Sequence, residues 1–373
     1  MTKKLAYVTN IPTPYRDFRF RILADCLFEY GIELVVLYMA HSEPGRYWDS
    51  SKLRYGYKSK VYKNFGFNVG KKRFFHFNPG LIFDLYTKRY DYVVIGGVAS
   101  PSHILSALFA KSKNKIMSVE SNIHNIRPNY LRDKIKSFTL NRFDRFQVTG
   151  DPCLEYINYY RDTKVVKSDL LYLRNIINED DFNVDDFNVE QGNEEIERQI
   201  KILCIARLEE QKGLIEFFEA INGIEGDYEI ALLGSGSLES KIRKIVNDYN
   251  INVKILGQKD SNEIGTWMNK SDVFLLPSKR DPSPLSCIEA IFNGKPLLLS
   301  RNIGNMKDVL DEGVNGFSFD INDKDSIRFA LNEFLKLERN DIHLMGEESK
   351  KIYHSKFSPK ILIEDYVKKI IEV

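Results

Sequence analysis

The sequence is short of several things. Its four cysteines, Cys26, Cys153, Cys204 and Cys287, are scattered over 373 residues, and no two form C-x-x-C. None of the six histidines stands at zinc spacing from them, so neither a disulfide framework nor a structural zinc site is expected. Cys204 and Cys287 lie in apolar segments and read as core thiols. That usage suits a reducing, cytoplasmic compartment. No apolar run reaches the ~18 residues of a membrane-spanning helix. The start, MTKKLAYVTN, has two lysines but lacks the apolar stretch of about 7–15 residues found in a secretory signal. Charge of one sign is also missing. With 54 basic and 52 acidic residues the net charge is +2, which argues against a chain coated onto a polyanion.

That balance hides an asymmetry. Residues 1–175 hold 29 Lys+Arg against 15 Asp+Glu, and residues 176–373 hold 25 against 37. Opposite signs in the two halves, with a length near two typical domains, predict two domains with different partners. With 43% hydrophobic residues, each half can bury a core. The first half alternates strand candidates (Leu5–Thr9, Glu33–Tyr38, Tyr92–Ile95, Ile116–Val119, Arg145–Val148) with helical stretches such as Tyr15–Tyr30 and Ser102–Lys111. Tyr47–Phe77 is irregular and reads as a hairpin or a mobile loop. The polar, acidic run Asn178–Glu197 reads as a connection between domains. A second series follows, from strand Ile200–Ala206 through strand Pro296–Ser300 to helices that run to the end, the last opening at Ser358-Pro359. Strand–helix alternation predicts an α/β fold, two doubly wound parallel sheets over about 1–177 and 178–358. Ligands of such sheets bind beyond the strand carboxyl ends.

Three segments at those ends carry chemistry. In Ala206-Arg207-Leu208-Glu209-Glu210-Gln211-Lys212-Gly213, two cations flank a turn that opens a helix, a setting that attracts a diphosphate. Solvated surface charges would read the same. Gly234-Ser235-Gly236-Ser237 resembles half a dinucleotide fingerprint, but Glu239 replaces the third glycine. A tight turn beside a nucleotide fits it better than a nicotinamide site. In the stretch from Ser278 to Ala290, Asp281 lies in a loop and Glu289, eight positions on, about one turn into a helix. Paired carboxylates accept hydrogen bonds from sugar hydroxyls. The N–H groups of Leu285 and Ser286 at the helix start suit a phosphate.

These segments, D-P-S-P-L-S-C-I-E-A-I-F-N-G-K-P-L above all, resemble the E-x7-E region of family 4 retaining glycosyltransferases of the GT-B fold. The likeness extends over A-R-L-E-E-Q-K-G, L-L-G-S-G-S-L, I-L-G, S-D-V-F-L-L-P-S and E-G-V-N-G-F, about residues 200–320, and more loosely over N-I-P-T-P-Y-R, E-S-N and L-R-N-I-I-N-E-D-D-F. It implies a first domain that binds the acceptor, a second that binds a nucleotide-sugar donor, and a last helix, about 359–373, that crosses back onto the first. It implies that Arg207 and Lys212 clamp the donor diphosphate, Glu289 holds the ribose hydroxyls and Asp281 the transferred sugar. Leu285 and Ser286 would offer N–H groups, with Gly234 near the nucleotide and the backbone of Gln258 near the base. Two departures stand out. Asp281 is one methylene shorter than the usual Glu, and Pro284 replaces a common Gly. In the first domain, the rigid loop Asn10–Arg16 stands where members carry a glycine-rich loop, and Arg16 is a candidate for donor phosphate or an acidic acceptor. Where members often place a His after the fourth strand, this chain has Glu120, expected to be buried, with His124 slightly late. No D-x-D motif stands at a suitable strand end, since D-K-D at Asp323–Asp325 falls in a late surface turn. Neither a metal nor another cofactor is expected.

The basic excess lies in residues 51–150, with 19 Lys+Arg against 5 Asp+Glu. Cations interleave with aromatics at Lys71–Phe77 and Asn129–Arg145. In the second stretch Leu131, Ile135, Phe138 and Phe143 stand at about helical spacing, as in a helix lying on anionic lipid. A core-facing helix with a solvated basic face shares that pattern. Membrane docking at the cytoplasmic face would suit a lipid-linked saccharide acceptor in surface polysaccharide assembly. No nucleic-acid recognition motif is present. A nucleotide-sugar epimerase, a sugar phosphorylase or an inactive sugar-nucleotide binding protein would share the architecture.

Overall fold

The computed structural model describes residues 2–44, 53–69, 73–98, 100–123, 126–182 and 199–372. The chain divides into two compact units, Met1–Ile176 with Pro359–Val373, and Ile177–Ser358.

The first unit runs β1 (Lys3–Thr9), α1 (Pro14–Glu29), β2 (Ile32–Tyr38), β3 (Lys58–Val61), the hairpin β4 (Phe67–Val69) and β5 (Arg73–Phe75), α2 (Pro79–Thr87), β6 (Tyr92–Ile95), α3 (Pro101–Phe109), β7 (Asn114–Val119), α4 (Tyr130–Leu140), β8 (Arg145–Val148), α5 (Pro152–Tyr160) and β9 (Leu170–Tyr172). Seven strands form one parallel sheet in the order β3-β2-β1-β6-β7-β8-β9. The order reverses between β1 and β6, and it is at such a reversal, beyond the strand carboxyl ends, that ligands of doubly wound sheets bind. Tyr92–Ile95 is buried throughout, as a strand covered on both faces must be. One cover holds Leu81, Leu85, Ala107, Tyr156 and Ile157. The other holds Phe20, Leu23 and Leu27 of α1 with Ile363, Tyr366 and Val367 of the C-terminal helix. Helices α1, α2, α3 and α5 each open on a proline, whose missing N–H would be unpaired there in any case. Within Tyr47–Phe77, residues 45–52 and 70–72 fall outside the described residues, and β4–β5 supplies a hairpin.

The second unit begins with a single 3-10 turn, Glu179–Phe182, whose Phe182 is buried against Phe292. The start of the acidic run therefore belongs to this unit's core. Residues 183–198 lie outside the described residues. Then follow β10 (Ile200–Ile205), α6 (Leu214–Ala220), β11 (Tyr228–Leu233), α7 (Glu239–Asp248), β12 (Val253–Gly257), α8 (Ser261–Asn269), β13 (Val273–Leu276), α9 (Leu285–Phe292), β14 (Leu297–Ser300), α10 (Met306–Val309), β15 (Gly316–Phe319), α11 (Lys324–Leu335) and α12 (Arg339–Lys356). Six parallel strands run β12-β11-β10-β13-β14-β15, reversing between β10 and β13. Asp323 of the D-K-D stretch is the N-cap of α11 and accepts from the Asp325 N–H. The last helix, α13 (Pro359–Ile371), belongs to the first unit.

Candidate active site

In the second unit the loops that leave β10, β11 and β13 are tied to one another. Leu208 N–H donates to the Ser235 carbonyl at 2.9 Å, and Leu238 N–H to the Leu208 carbonyl at 2.9 Å. Glu209 accepts from the backbone N–H and hydroxyl of Ser237 at 3.3 and 3.2 Å. Gly234, at φ 134°, passes so close that a Cβ would lie 1.9 Å from the Ala206 carbonyl oxygen. Its N–H is bonded to the Gly257 carbonyl at 2.7 Å. Gly234 therefore serves close backbone packing, and its own N–H is engaged. Gln258, next along, is exposed.

Arg207 is exposed; its carbonyl accepts from the Glu209 N–H at 2.8 Å, while its guanidinium has no hydrogen-bond or ion-pair partner among the described residues. Lys212, at the end of the same connection, is in contact with Asp281. Nζ lies 2.5 Å from Oδ2, with the two side chains 11% and 18% exposed. Gly213 follows at φ 65°, its Cα packed so that a Cβ would lie 2.2 Å from the Pro277 carbonyl oxygen. Asp281 is held through its backbone as well, since Gly304 N–H donates to its carbonyl at 2.8 Å. Pro284 is buried and is the N-cap of α9. Its carbonyl accepts from Asn305 Nδ2 at 3.4 Å. No side chain at this N-cap bonds the N–H groups of the first turn, which begins at Leu285 and Ser286.

Glu289 sits one turn into α9 and is largely enclosed. Loss of solvent, and then the neighbouring charge of Asp181, raise its carboxyl to about 7. The buried Cys287 thiol feels the charges of Asp281, Lys212 and Glu289, which brings those three groups into one neighbourhood. Burial pushes that thiol, and that of Cys204, up, so both are inert core groups.

In the first unit, Arg16 is part-buried near the carboxyl end of β1 and donates to Thr9 Oγ1 at 3.2 Å. Burial works to lower its guanidinium, but Tyr15, Glu120, Tyr7 and Glu43 outweigh it and hold the group above its ordinary value. Glu120 follows β7 and is exposed rather than buried, because the chain there has left the sheet. His124 lies outside the described residues, as do Lys71 and Lys72.

Around Arg16 stand groups that sequence reasoning missed. Glu43 accepts from Asn10 Nδ2 at 2.9 Å and bonds His76 Nε2 at 2.8 Å. His103, 3% exposed, presses its ring on Gly97, and neither ring nitrogen has a partner among the described residues. Burial, then His76 and Arg16, lower it to about 3, so it is neutral. His76 sits inside an aromatic–cationic run and His103 inside an apolar helix, so spacing carried no signal for either.

Residues 185–352 match the family model of glycosyl transferases group 1. The amylovoran biosynthesis glycosyltransferase AmsK of Erwinia amylovora is 29% identical over 133 residues, 33% of this chain and 32% of that one. An Escherichia coli UDP-Gal:alpha-D-GlcNAc-diphosphoundecaprenol alpha-1,3-galactosyltransferase is 32% identical over 133 residues, 34% of each chain. The match spans between 32% and 41% of the length of the first curated relatives. Among solved structures, Anabaena HepE in complex with UDP and glucose superposes with a TM-score of 0.75 at 12% identity, covering 100% of both chains. The lipopolysaccharide outer core galactosyltransferase WaaB superposes at 0.70 with 13% identity over 99% of both. The fold is GT-B, and residues 185–352 are similar to the glycosyl transferases group 1.

Proposed function

We propose that the protein is a retaining glycosyltransferase. It moves a sugar of hexosyl or N-acetylhexosaminyl type from a nucleoside diphosphate sugar to a hydroxyl of a saccharide acceptor in surface polysaccharide assembly. The observation that carries this reading is the meeting of Lys212 with Asp281 at the carboxyl ends of β10 and β13, with the Arg207 guanidinium, without a partner among the described residues, on the same connection. A departing nucleoside diphosphate needs its negative charge stabilised more than it needs a proton. Arg207, Lys212 and the N–H groups of Leu285 and Ser286 supply that charge complement, and the reading assigns no metal to the step. Asp281 takes hydroxyls of the transferred sugar and Glu289 those of the ribose. The backbone around Gly234 and Gln258 flanks the nucleotide. The pinned carbonyls of Asp281 and Pro284 keep this loop in place before the donor arrives. In the first unit Arg16 and Glu120 are assigned to the acceptor.

The support from relatives is of class. HepE was solved with UDP, and the galactosyltransferase from Escherichia coli is named for a diphosphoundecaprenol acceptor. We carry to this chain a nucleoside diphosphate donor and a lipid-linked saccharide acceptor. An anionic membrane surface fits that acceptor. Helix α4 buries only Thr139 and Leu140, while Tyr130, Leu131, Ile135 and Phe138 are 76%, 68%, 38% and 48% exposed. Lys134 lies 4.6 Å from the Tyr130 ring centroid and Arg142 3.5 Å from that of Phe138. An outward apolar stripe edged by cations is what an interfacial helix presents to anionic lipid. No helix among the described residues is long and apolar enough to cross a membrane.

A panel of nucleotide sugars in a thermal-shift assay, then product analysis by NMR, tests the reading. It predicts one stabilising donor and a product that keeps the donor's anomeric configuration. Inversion would remove the retaining assignment. Free epimerised nucleotide sugar or sugar phosphate would replace the transferase by an epimerase or a phosphorylase.

A further inference from the structure

The two groups assigned to different parts of the donor are bonded to each other. Lys212 Nζ and Asp281 Oδ2 are 2.5 Å apart, and both side chains are largely buried. A diphosphate competes with Asp281 for the Lys212 ammonium, and sugar hydroxyls compete with Lys212 for the Asp281 carboxylate. We propose that Lys212 and Asp281 form an exchange pair that makes the site favour the nucleotide sugar over the nucleoside diphosphate left after transfer. The inference rests on the donor-site reading above.

The pairing of charges sets this preference. When a complete donor enters, Lys212 gives up Asp281 for the diphosphate, and Asp281 gives up Lys212 for the sugar hydroxyls. Each buried charge ends with a partner. When a nucleoside diphosphate enters alone, Lys212 is satisfied but the Asp281 carboxylate is left unpaired beside a second anion. A buried charge that loses its partner is strongly unfavourable. The segment that carries the carboxylate stays in place, because the backbone of Asp281 is bridged to Ile303 and bonded to Gly304. The backbone that follows Lys212 is held likewise by Gly213 packed on the Pro277 carbonyl, so the exchange is one of side chains. Departure of the sugar therefore draws Lys212 back to Asp281 and loosens the spent nucleotide. Asp281 is thus a specificity-determining residue against the product.

The test is calorimetric titration of the full chain with UDP and UDP-glucose, and with GDP and GDP-mannose, keeping the pair that binds tighter. Asp281→Asn is near-isosteric, and its melting curve checks the fold. The expected result is at least a fivefold gain in affinity for the nucleoside diphosphate, with a smaller gain or a loss for the nucleotide sugar. In a Lys212→Met background the same change gives no gain. The inference is overturned if Asp281→Asn binds the nucleoside diphosphate no better than wild type. It is equally overturned if both ligands gain alike, or if the gain survives Lys212→Met, since a general charge effect does both. Failure of every ligand to bind wild type would instead remove the donor-site reading.

Discussion

Glu289 carries the most informative proton of the second unit. Its carboxyl is raised to about 7, so the folded chain holds a proton that an unfolded chain releases above the ordinary Glu value of about 4.3. Stability of the ligand-free protein should therefore fall as pH climbs from about 4.3 to about 7 and level off above, and Glu289→Gln should flatten that slope in thermal melts. Ribose hydroxyls donate to the ionised carboxylate. Donor affinity should then rise with pH across the same interval, with protons released on binding, which calorimetry in two buffers of different ionisation enthalpy reads directly. Glu289→Ala and Lys212→Ala should each lower turnover at least tenfold with the fold intact, measured as initial rates beside circular dichroism. Asp281 and Glu289 were legible as a pair because they share one segment. The Lys212–Asp281 contact was not, because its partners stand 69 positions apart and meet only through the adjacency of β10 and β13. Glu43 and His76, 33 positions apart, were hidden for the same reason.

Elements differ in how far their own residues specify them. Central strands such as Tyr92–Ile95 and Tyr228–Leu233 are apolar runs buried throughout or nearly so, and their boundaries are legible. The edges are not. β3 is Lys-Ser-Lys-Val and mostly exposed, and β9 has three residues. Such strands exist because a neighbour offers unpaired backbone groups, not because of their own pattern. Helix α4 shows the opposite limit. Its periodicity was readable, but periodicity is silent on which face meets the sheet. The structure turns Leu131, Ile135 and Phe138 outward. Replacing these three by serine should leave the melting temperature within a few degrees, as exposed substitutions usually do. It should also abolish co-sedimentation with vesicles containing anionic lipid at low salt. Unchanged binding would remove α4 from the membrane surface. The turn after Lys212 has its own requirement. Gly213→Ala forces a side chain into positive φ and into the Pro277 carbonyl, so it should destabilise the protein by more than ~1 kcal/mol in denaturant unfolding and weaken donor binding.

At the scale of the whole molecule, the near-zero net charge resolves into a basic unit and an acidic one, each with its own doubly wound sheet. The chain returns to the first unit at its end. There Tyr366 donates to Gln147 Oε1 at 2.5 Å, and Gln147 Nε2 donates to Tyr7 and Ser118 at 2.7 and 2.9 Å. Tyr366→Phe leaves a buried carbonyl oxygen without its donor and should reduce unfolding free energy by ~1–3 kcal/mol. The acidity of the second unit is no obstacle to an anionic donor, because Arg207 and Lys212 stand at the strand ends where the donor is assigned, and net charge acts only at longer range. The most direct test is equilibrium titration of wild type and Lys212→Ala with a panel of nucleotide sugars. One member should bind wild type saturably at one site per chain and bind Lys212→Ala at least tenfold more weakly. No binding by any member, or equal binding to both proteins, would contradict a donor site built on Lys212.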